Sequence, residues 1–175
     1  MNEPFNPERT RTVSWSDPLI GARAAPEMSG LEFLQAISRG ELPVPPIMAL
    51  LNIGFVSAEA GRVVFSVEPA EYHYNPIGMI HGGLASTLCD SAMGCAIHST
   101  LPSGVGYTTL ELKVSFVRPL TMETGPVLCE GKVINVGGRV ATAEARVTDR
   151  AGKLYAHATT TCLVMRPASG TEVLR

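Results

Sequence analysis

One stretch of this sequence, Gly82 to about Thr100, contains no proline and is dense in leucine, alanine, methionine and isoleucine. These residues favour a helix, and because apolar residues occupy most of its sides, the helix should be buried. The sequence on either side of it has the character of β-strands. A strand-rich sheet needs a cover for its apolar face, and this helix is the one candidate large enough. The sequence therefore predicts an antiparallel sheet wrapped around one central helix.

About six strands are predicted around that helix, which gives the α+β class. Residues 53–58 and 62–68 are β-branched and apolar, and Ala60-Gly61 joins them as a hairpin. After the helix, Leu112, Val114 and Phe116 alternate with polar neighbours at a period of two. Three further strands follow, separated by turns at Gly137-Gly138 and at residues 149–152; they span residues 127–136, 141–147 and 154–164.

The sequence before the strands differs in character from the rest of the chain. Residues 1–28 are polar and show no amphipathic pattern, so we interpret them as an arm with Phe5 and Trp15 as candidate anchors. Ser29 and Glu32 form a capping box that starts a short helix. The predicted division is an arm with a short helix at 1–46, one domain at 47–166 and a loose tail at 167–175.

The composition argues against several functional classes. The 14 basic and 16 acidic side chains give a net charge of −2, whereas a dedicated nucleic-acid binder shows a basic face. No apolar run has membrane-spanning length, and the N-terminus lacks the apolar stretch of a secretory signal. We therefore expect a cytoplasmic protein with neither nucleic acid nor membrane as a partner. The four scattered cysteines and the histidines show no metal-ligand spacing, so no metal site is predicted.

Asp90 stands out because it is an acidic residue within the apolar helix. A carboxylate in such surroundings is a candidate general base or nucleophile. It can equally have a structural role, capping a neighbouring loop or pairing with an arginine.

The residues His81-Gly82-Gly83 stand where the same helix begins. Two glycines leave backbone N–H groups uncovered at a helix N-terminus, where they can stabilise a carbonyl oxygen that becomes an oxyanion. The alternative is a tight turn into the helix with His81 as a satisfied polar residue.

The spacing of Gly83 and Asp90 has a geometric consequence. Seven residues put them on one helix face but about 10.5 Å apart along its axis. A base and an oxyanion donor must both approach the reacting centre to about 3 Å. If both residues are catalytic, two antiparallel helices related by a two-fold axis would bring Gly83 of one chain to Asp90 of the other, so the site should be shared across a dimer.

The ordered set of an asparagine, a glycine, His-Gly-Gly and an aspartate nine residues after the histidine resembles the hotdog-fold acyl-CoA thioesterases of the phenylacetic-acid-degradation (PaaI) type. The resemblance covers about residues 47–166. It is carried by the segments 75–83 (NPIGMIHGG), 88–90 (LCD), 106–109 (GYTT) and 116–119 (FVRP). It implies the hotdog fold, in which a sheet wraps one long helix, and this agrees with the predicted order of elements.

The resemblance also implies a role for each site residue. Asn75 and the Gly83 N–H would contact the thioester carbonyl, and His81 would position the substrate and the loop. Asp90 of the partner subunit would activate water or attack directly. Thr109 would orient water beside the acid, although strand alternation does not distinguish it from Thr108 or from an ordinary strand threonine.

Coenzyme A carries phosphates, so a basic rim is expected at its site. Arg139 follows Gly137-Gly138 and resembles the glycine-arginine position of the family, which makes it the first candidate. Arg118 and Lys113 are the next candidates, and each of the three can equally be a solvated surface cation. No separate cofactor is expected, because coenzyme A is part of the substrate. The expected assembly is a homodimer or homotetramer.

Three functions from different classes fit this pattern. Hydrolysis of an acyl-CoA thioester is the leading hypothesis. Hydratase or dehydratase chemistry on acyl chains occurs on a similar fold, but the spacing of His81 and Asp90 fits the thioesterase pattern better. A non-catalytic acyl-CoA-binding module is the third, and the presence of Asp90 argues against it. The acyl-chain preference is left open.

Overall fold

The computed structural model of the chain describes residues 8–166, within which four α-helices and six β-strands are found. The helices are α1 (Leu19–Ala24), α2 (Gly30–Ser38), α3 (Pro46–Leu51) and α4 (Gly82–His98). The strands are β1 (Ile53–Glu59), β2 (Arg62–Val67), β3 (Gly106–Phe116), β4 (Val127–Val136), β5 (Val140–Asp149) and β6 (Leu154–Met165). This confirms the predicted order of two strands, one long helix and four strands.

The six strands form one antiparallel sheet in the order β1-β2-β4-β5-β6-β3. The chain segment that contains α4 connects β2 to β3, which lies at the far edge of the sheet. Strand β3 pairs on one side only, and its side chains Leu110 and Phe116 are 58% and 59% exposed. The edge at β3 is therefore a long strand that leaves apolar side chains open to a neighbour.

The core lies between α4 and the sheet. Leu88, Met93 and Ile97 of α4 are completely buried against strands on the inner face of the sheet. Gly131 of β4 lies directly against the helix, where a Cβ would overlap the backbone carbonyl of Ala92. This close approach fixes α4 on the sheet and so fixes the position of every functional residue that the helix carries.

The cysteines contribute to this core. Cys89, Cys129 and Cys162 are buried, and all four cysteines are free thiols.

The N-terminal segment, defined as residues 8–51, is more structured than a plain arm. It contains α1, which was not predicted, and α2, whose predicted capping box between Ser29 and Glu32 is present. Trp15 is 58% exposed, so the prediction that its burial anchors the arm is wrong, and Phe5 lies outside the described residues. Arg11 holds the segment instead, because its guanidinium donates hydrogen bonds to the carbonyl oxygens at residues 49 and 50 at 3.0 and 2.7 Å.

Across residues 8–166, no helix combines the length and the apolar character needed to cross a membrane. The predicted tail at 167–175 lies outside the described residues.

Candidate active site

Five of the eight predicted site residues line two separate cavities, and Gly83, Lys113 and Arg139 line neither. The first cavity has a volume of about 380 Å³ and opens at the N-terminal end of α4. It is lined by residues that include Asn75, His81, Gly82, Phe116 and Arg118. The second cavity has a volume of about 290 Å³, and its lining includes Asp90 and Thr109. Among the described residues, none lines both cavities.

Asn75 presents a hydrogen-bond donor to the first cavity. Its side-chain oxygen Oδ1 accepts hydrogen bonds from the backbone N–H groups of Ile77 and Met79 at 3.0 and 3.1 Å. These bonds fix the orientation of the amide and hold the loop before α4. Because Oδ1 is occupied, the Nδ2 group is the part of Asn75 that remains to donate to a substrate oxygen.

His81 caps α4, and this changes the expected role of the glycines. Its ring nitrogen Nδ1 accepts a hydrogen bond from the Gly83 N–H at 2.8 Å. The neutral imidazole therefore carries its proton on Nε2. Gly83 was expected to offer an open N–H, but that N–H is engaged by the histidine.

Gly82, the other glycine at the start of α4, has the N–H that remains free, a distinction that the sequence did not reveal. It lines the first cavity, and no acceptor for its N–H is found within residues 8–166. An N-cap side chain accepts from the second or third N–H of a helix and leaves the first one free. That rule, applied to His81 as the N-cap, would have identified Gly82.

A side chain at Gly82 would also obstruct the first cavity. A Cβ added there would lie 2.9 Å from the ring atom Cζ of Phe116. Glycine therefore allows the start of α4 and the end of β3 to approach closely while the N–H stays accessible.

Asp90 and Thr109 meet beside the second cavity. The Thr109 hydroxyl donates a hydrogen bond to Oδ1 of Asp90 at 2.9 Å. Asp90 is half-buried rather than enclosed in the core. Within residues 8–166 no basic side chain forms a salt bridge with it, which argues against the structural alternative of an arginine pair.

A β-bulge explains why Thr109 rather than Thr108 contacts the acid. Leu112 and Val114 face the core, and counting back from them in steps of two leads to Thr108. The register of β3 against β6 shifts between Thr109 and Glu111, which reverses the alternation. Thr109 consequently faces α4, whereas Thr108 is exposed.

The candidate phosphate-binding residues occupy different parts of the sheet. Arg118 lines the first cavity, and its Nη1 donates to the carbonyl oxygen of Leu154 at 2.6 Å. Arg139 is exposed in the turn between β4 and β5, at the opposite end of the sheet, where its carbonyl accepts from the Val164 N–H. Lys113 is exposed on β3 and lines neither cavity.

The groups around Asp90 are held in their neutral forms. Burial raises the pKa of Cys95 to about 12, with a smaller contribution from the charge on Asp90. Burial likewise raises the pKa of Tyr107 well above its ordinary value and lowers the pKa of His98. Asp90 is the one carboxyl group among the residues that line the second cavity, and no lysine or arginine lines it.

Comparison with known proteins agrees with this geometry. Residues 77–156 match the family described as the thioesterase superfamily. Human acyl-coenzyme A thioesterase 13 is 30% identical over 106 residues, which cover 60% of this chain and 74% of that protein. The chain belongs to the thioesterase superfamily. Its fold is the hotdog fold, and it is a thioester hydrolase of the PaaI type.

Two further relatives of this thioesterase support the assignment. A proposed esterase of Saccharolobus solfataricus is 32% identical over 120 residues, which cover 69% of this chain and 84% of that protein. The structure of a variant of the phenylacetic acid degradation protein PaaI from Thermus thermophilus is 28% identical, with a TM-score of 0.62. It covers 70% of this chain and all of that one. The family match begins at Ile77, so the N-terminal segment lies outside it.

Proposed function

We propose that this thioesterase hydrolyses an acyl-CoA thioester to the carboxylic acid and free coenzyme A, at a site shared between two subunits. The observation that carries the proposal is the separation of the two cavities. The hydrogen-bond donors Asn75 and Gly82 line one of them, and the carboxylate of Asp90 lines the other. The name of the human relative, an acyl-coenzyme A thioesterase, supports the choice of substrate class.

The distance along α4 supports a two-chain site. Gly82 and Asp90 are eight residues apart, which corresponds to about 12 Å along a helix axis. A thioester carbonyl must lie within about 3 Å of both the donor and the base or its water. A two-fold axis that sets α4 of one subunit antiparallel to α4 of the other avoids this separation. Gly82 of one subunit then lies beside Asp90 of the partner subunit.

The open edge of the sheet supports the same arrangement. Strand β3 is 11 residues long and lies at the edge that carries the exposed side chains of Leu110 and Phe116. Antiparallel pairing of β3 with its copy would cover this edge and continue the sheet across the two-fold axis.

The residues then have complementary roles in the hydrolysis. The carbonyl oxygen of the thioester accepts hydrogen bonds from the Asn75 amide and the Gly82 N–H, which the N-terminal dipole of α4 reinforces. The partner's Asp90 takes a proton from water while the water oxygen bonds to the acyl carbon. The partner's Thr109 holds Oδ1 of that carboxylate, so Oδ2 is available for the proton. The carbon–sulfur bond then breaks, and the proton passes to the sulfur of coenzyme A. Direct attack by the Asp90 carboxylate on the acyl carbon is the alternative to the water route.

The two arginines fit one composite site for the phosphates of coenzyme A. Arg118 lies at the Gly82 end of the sheet and Arg139 at the opposite end, so a two-fold axis would bring Arg118 of one subunit to the side of the partner's Arg139. Arg118 has donors left after its bond to the Leu154 carbonyl. Lys113 is a weaker candidate because it lines neither cavity. The proposed reaction needs no cofactor besides the coenzyme A of the substrate. The cytoplasmic location of the protein stays a prediction.

An acyl-CoA panel with two readouts tests the function. Free thiol is measured as coenzyme A release, and hydration of enoyl-CoA is followed in parallel. We expect thiol release with at least one acyl-CoA and no hydration. Binding without thiol release would favour the non-catalytic module, and hydration without thiol release would favour the hydratase.

A further inference from the structure

The N-terminal segment forms one wall of the second cavity. This wall consists of apolar side chains from α2, α3 and the proline-rich connection between them, namely Phe33, Leu34, Ile37, Pro45, Ile47 and Met48. The opposite wall comes from α4 and the sheet, and it includes Asp90 and Thr109. The cavity therefore leads from the carboxylate into an apolar space that the segment outside the family match encloses.

This wall is fixed to the domain. Gly30, the first residue of α2, packs so closely on the end of α4 that a Cβ would overlap the carbonyl oxygen of His98. The Gly30 N–H also donates to the Leu101 carbonyl at 2.9 Å. Since Arg11 ties the preceding residues to the end of α3, both helices of the wall are held in place.

The cavity has an aromatic side. The ring centroids of Phe33 and His98 are 5.6 Å apart, and those of His98 and Tyr107 are 5.4 Å apart. The pKa of His98 is lowered by burial, so this row of rings is uncharged at neutral pH. Such a lining suits an apolar group next to the thioester carbonyl.

Three residues of the wall also line further cavities. A cavity of about 110 Å³ lies under α1, and Phe33, Ile37 and Pro45 line both it and the second cavity. A third space of about 440 Å³ beside Trp15 also has Ile37 in its lining. The side chains of Phe33 and Ile37 thus lie between the second cavity and these two further cavities. With about 290 Å³, the second cavity is at the lower end of the range for ligand sites.

We propose that the second cavity binds the acyl group and that Phe33 and Ile37 limit it to a compact acyl group, aromatic or short aliphatic, rather than a long alkyl chain. This inference rests on the proposed function. The subunit that supplies Asp90 thereby also supplies the acyl pocket, while the other subunit supplies the carbonyl donors. The N-terminal segment sets the acyl specificity from outside the matched family domain.

Acyl-length profiles of matched variants test the inference. Values of kcat/KM are measured with hexanoyl-, phenylacetyl- and palmitoyl-CoA for the wild type, Phe33→Ala and Ile37→Ala. Leu31→Ala is the control, because Leu31 lies on α2 but lines none of the three cavities. Phe33→Leu serves as a milder variant if Phe33→Ala does not fold.

We expect the wild type to prefer the two compact substrates. Because removal of the dividing side chains joins the cavities, the ratio of palmitoyl to hexanoyl activity should rise about tenfold in the Phe33 or Ile37 variants and stay unchanged in Leu31→Ala. A wild type that prefers palmitoyl-CoA, or folded variants with the wild-type profile, would overturn the inference while leaving the proposed function intact. Loss of the proposed function would be seen separately, as no thiol release by the wild type from any substrate, and would overturn both.

Discussion

The two cavities along α4 differ in the charged side chain that lines them. The first is lined by mostly apolar residues together with the donors of Asn75 and Gly82 and one arginine, and no carboxylate lines it. The second is lined by one carboxylate and by neutral, mostly apolar side chains, and no lysine or arginine lines it. Each cavity lacks the charged side chain that lines the other. This difference agrees with the proposal that one chain carries two complementary half-sites for thioester hydrolysis.

The largest effect on kcat is expected from replacing the carboxylate of Asp90 in the second cavity. Asp90→Asn should lower kcat by about 10²-fold or more, because an amide cannot accept the proton of water. The fold should persist, since the asparagine Oδ1 can still accept the hydrogen bond from Thr109. Thiol-release kinetics and thermal unfolding are measured together. A folded Asp90→Asn protein with near-wild-type kcat would remove the acid from the mechanism.

A substitution in the first cavity should remove the donor and preserve the loop. Asn75→Asp keeps an oxygen to accept from the Ile77 and Met79 N–H groups but has no amide to donate. We expect kcat to fall by about 10²-fold, as for the loss of an oxyanion-hole donor. Asn135→Asp, which makes the same change at an exposed position of β4, is the control. Equal activity of the two variants would contradict the role of Asn75.

A smaller effect should distinguish the two neighbouring threonines. Thr109→Ala removes the hydrogen bond that orients Asp90, and loss of a bond to a charged group should lower kcat about tenfold. Thr108→Ala on the same strand should leave kcat unchanged, because that side chain is exposed. The contact with Asp90 would be irrelevant to catalysis if both variants retained wild-type kcat.

These predictions also show which parts of the molecule the sequence could reveal. The long apolar helix, the strand order and the capping box follow from local composition and periodicity, so they were predictable. The choice between Thr108 and Thr109 was not, because one bulge in β3 reverses the alternation and leaves no clear mark in the sequence. The engagement of the Gly83 N–H was not predictable either, because it depends on the His81 ring being turned back onto Gly83.

The wall formed by the N-terminal segment was hidden for a different reason. Its two helices are short, and α3 has a single buried residue, Met48, so its amphipathic pattern is weak. The wall depends instead on contacts distant in sequence, such as Gly30 against His98 and Arg11 against the end of α3. Contacts of this kind are not visible in local periodicity.

The smallest expected effect concerns stability at mildly acidic pH. His73 is buried in the turn that precedes Asn75, and His98 lines the second cavity. Burial lowers the pKa of both histidines below the ordinary value of 6.5. Below about pH 6.5 the unfolded chain therefore binds more protons than the folded chain, so stability falls as the pH decreases. The free energy of unfolding by urea at pH 7.5 and 5.5 should drop less for the double variant His73→Gln, His98→Gln than for the wild type. An identical drop would show that other groups cause the acid sensitivity.

The most direct test of the half-site account mixes two inactive proteins. Asp90→Asn and Asn75→Asp are unfolded together and refolded, so that about half of the dimers contain one chain of each kind under random two-fold pairing. In each mixed dimer one site has both substitutions and the other has neither, so activity should recover to about a quarter of wild type per site. Refolding Asp90→Asn with wild type, which should give about half whether or not the chains exchange, controls for losses during refolding. A mixture as inactive as its two parents, with exchange demonstrated, would mean that each chain builds its own complete site and would contradict the account.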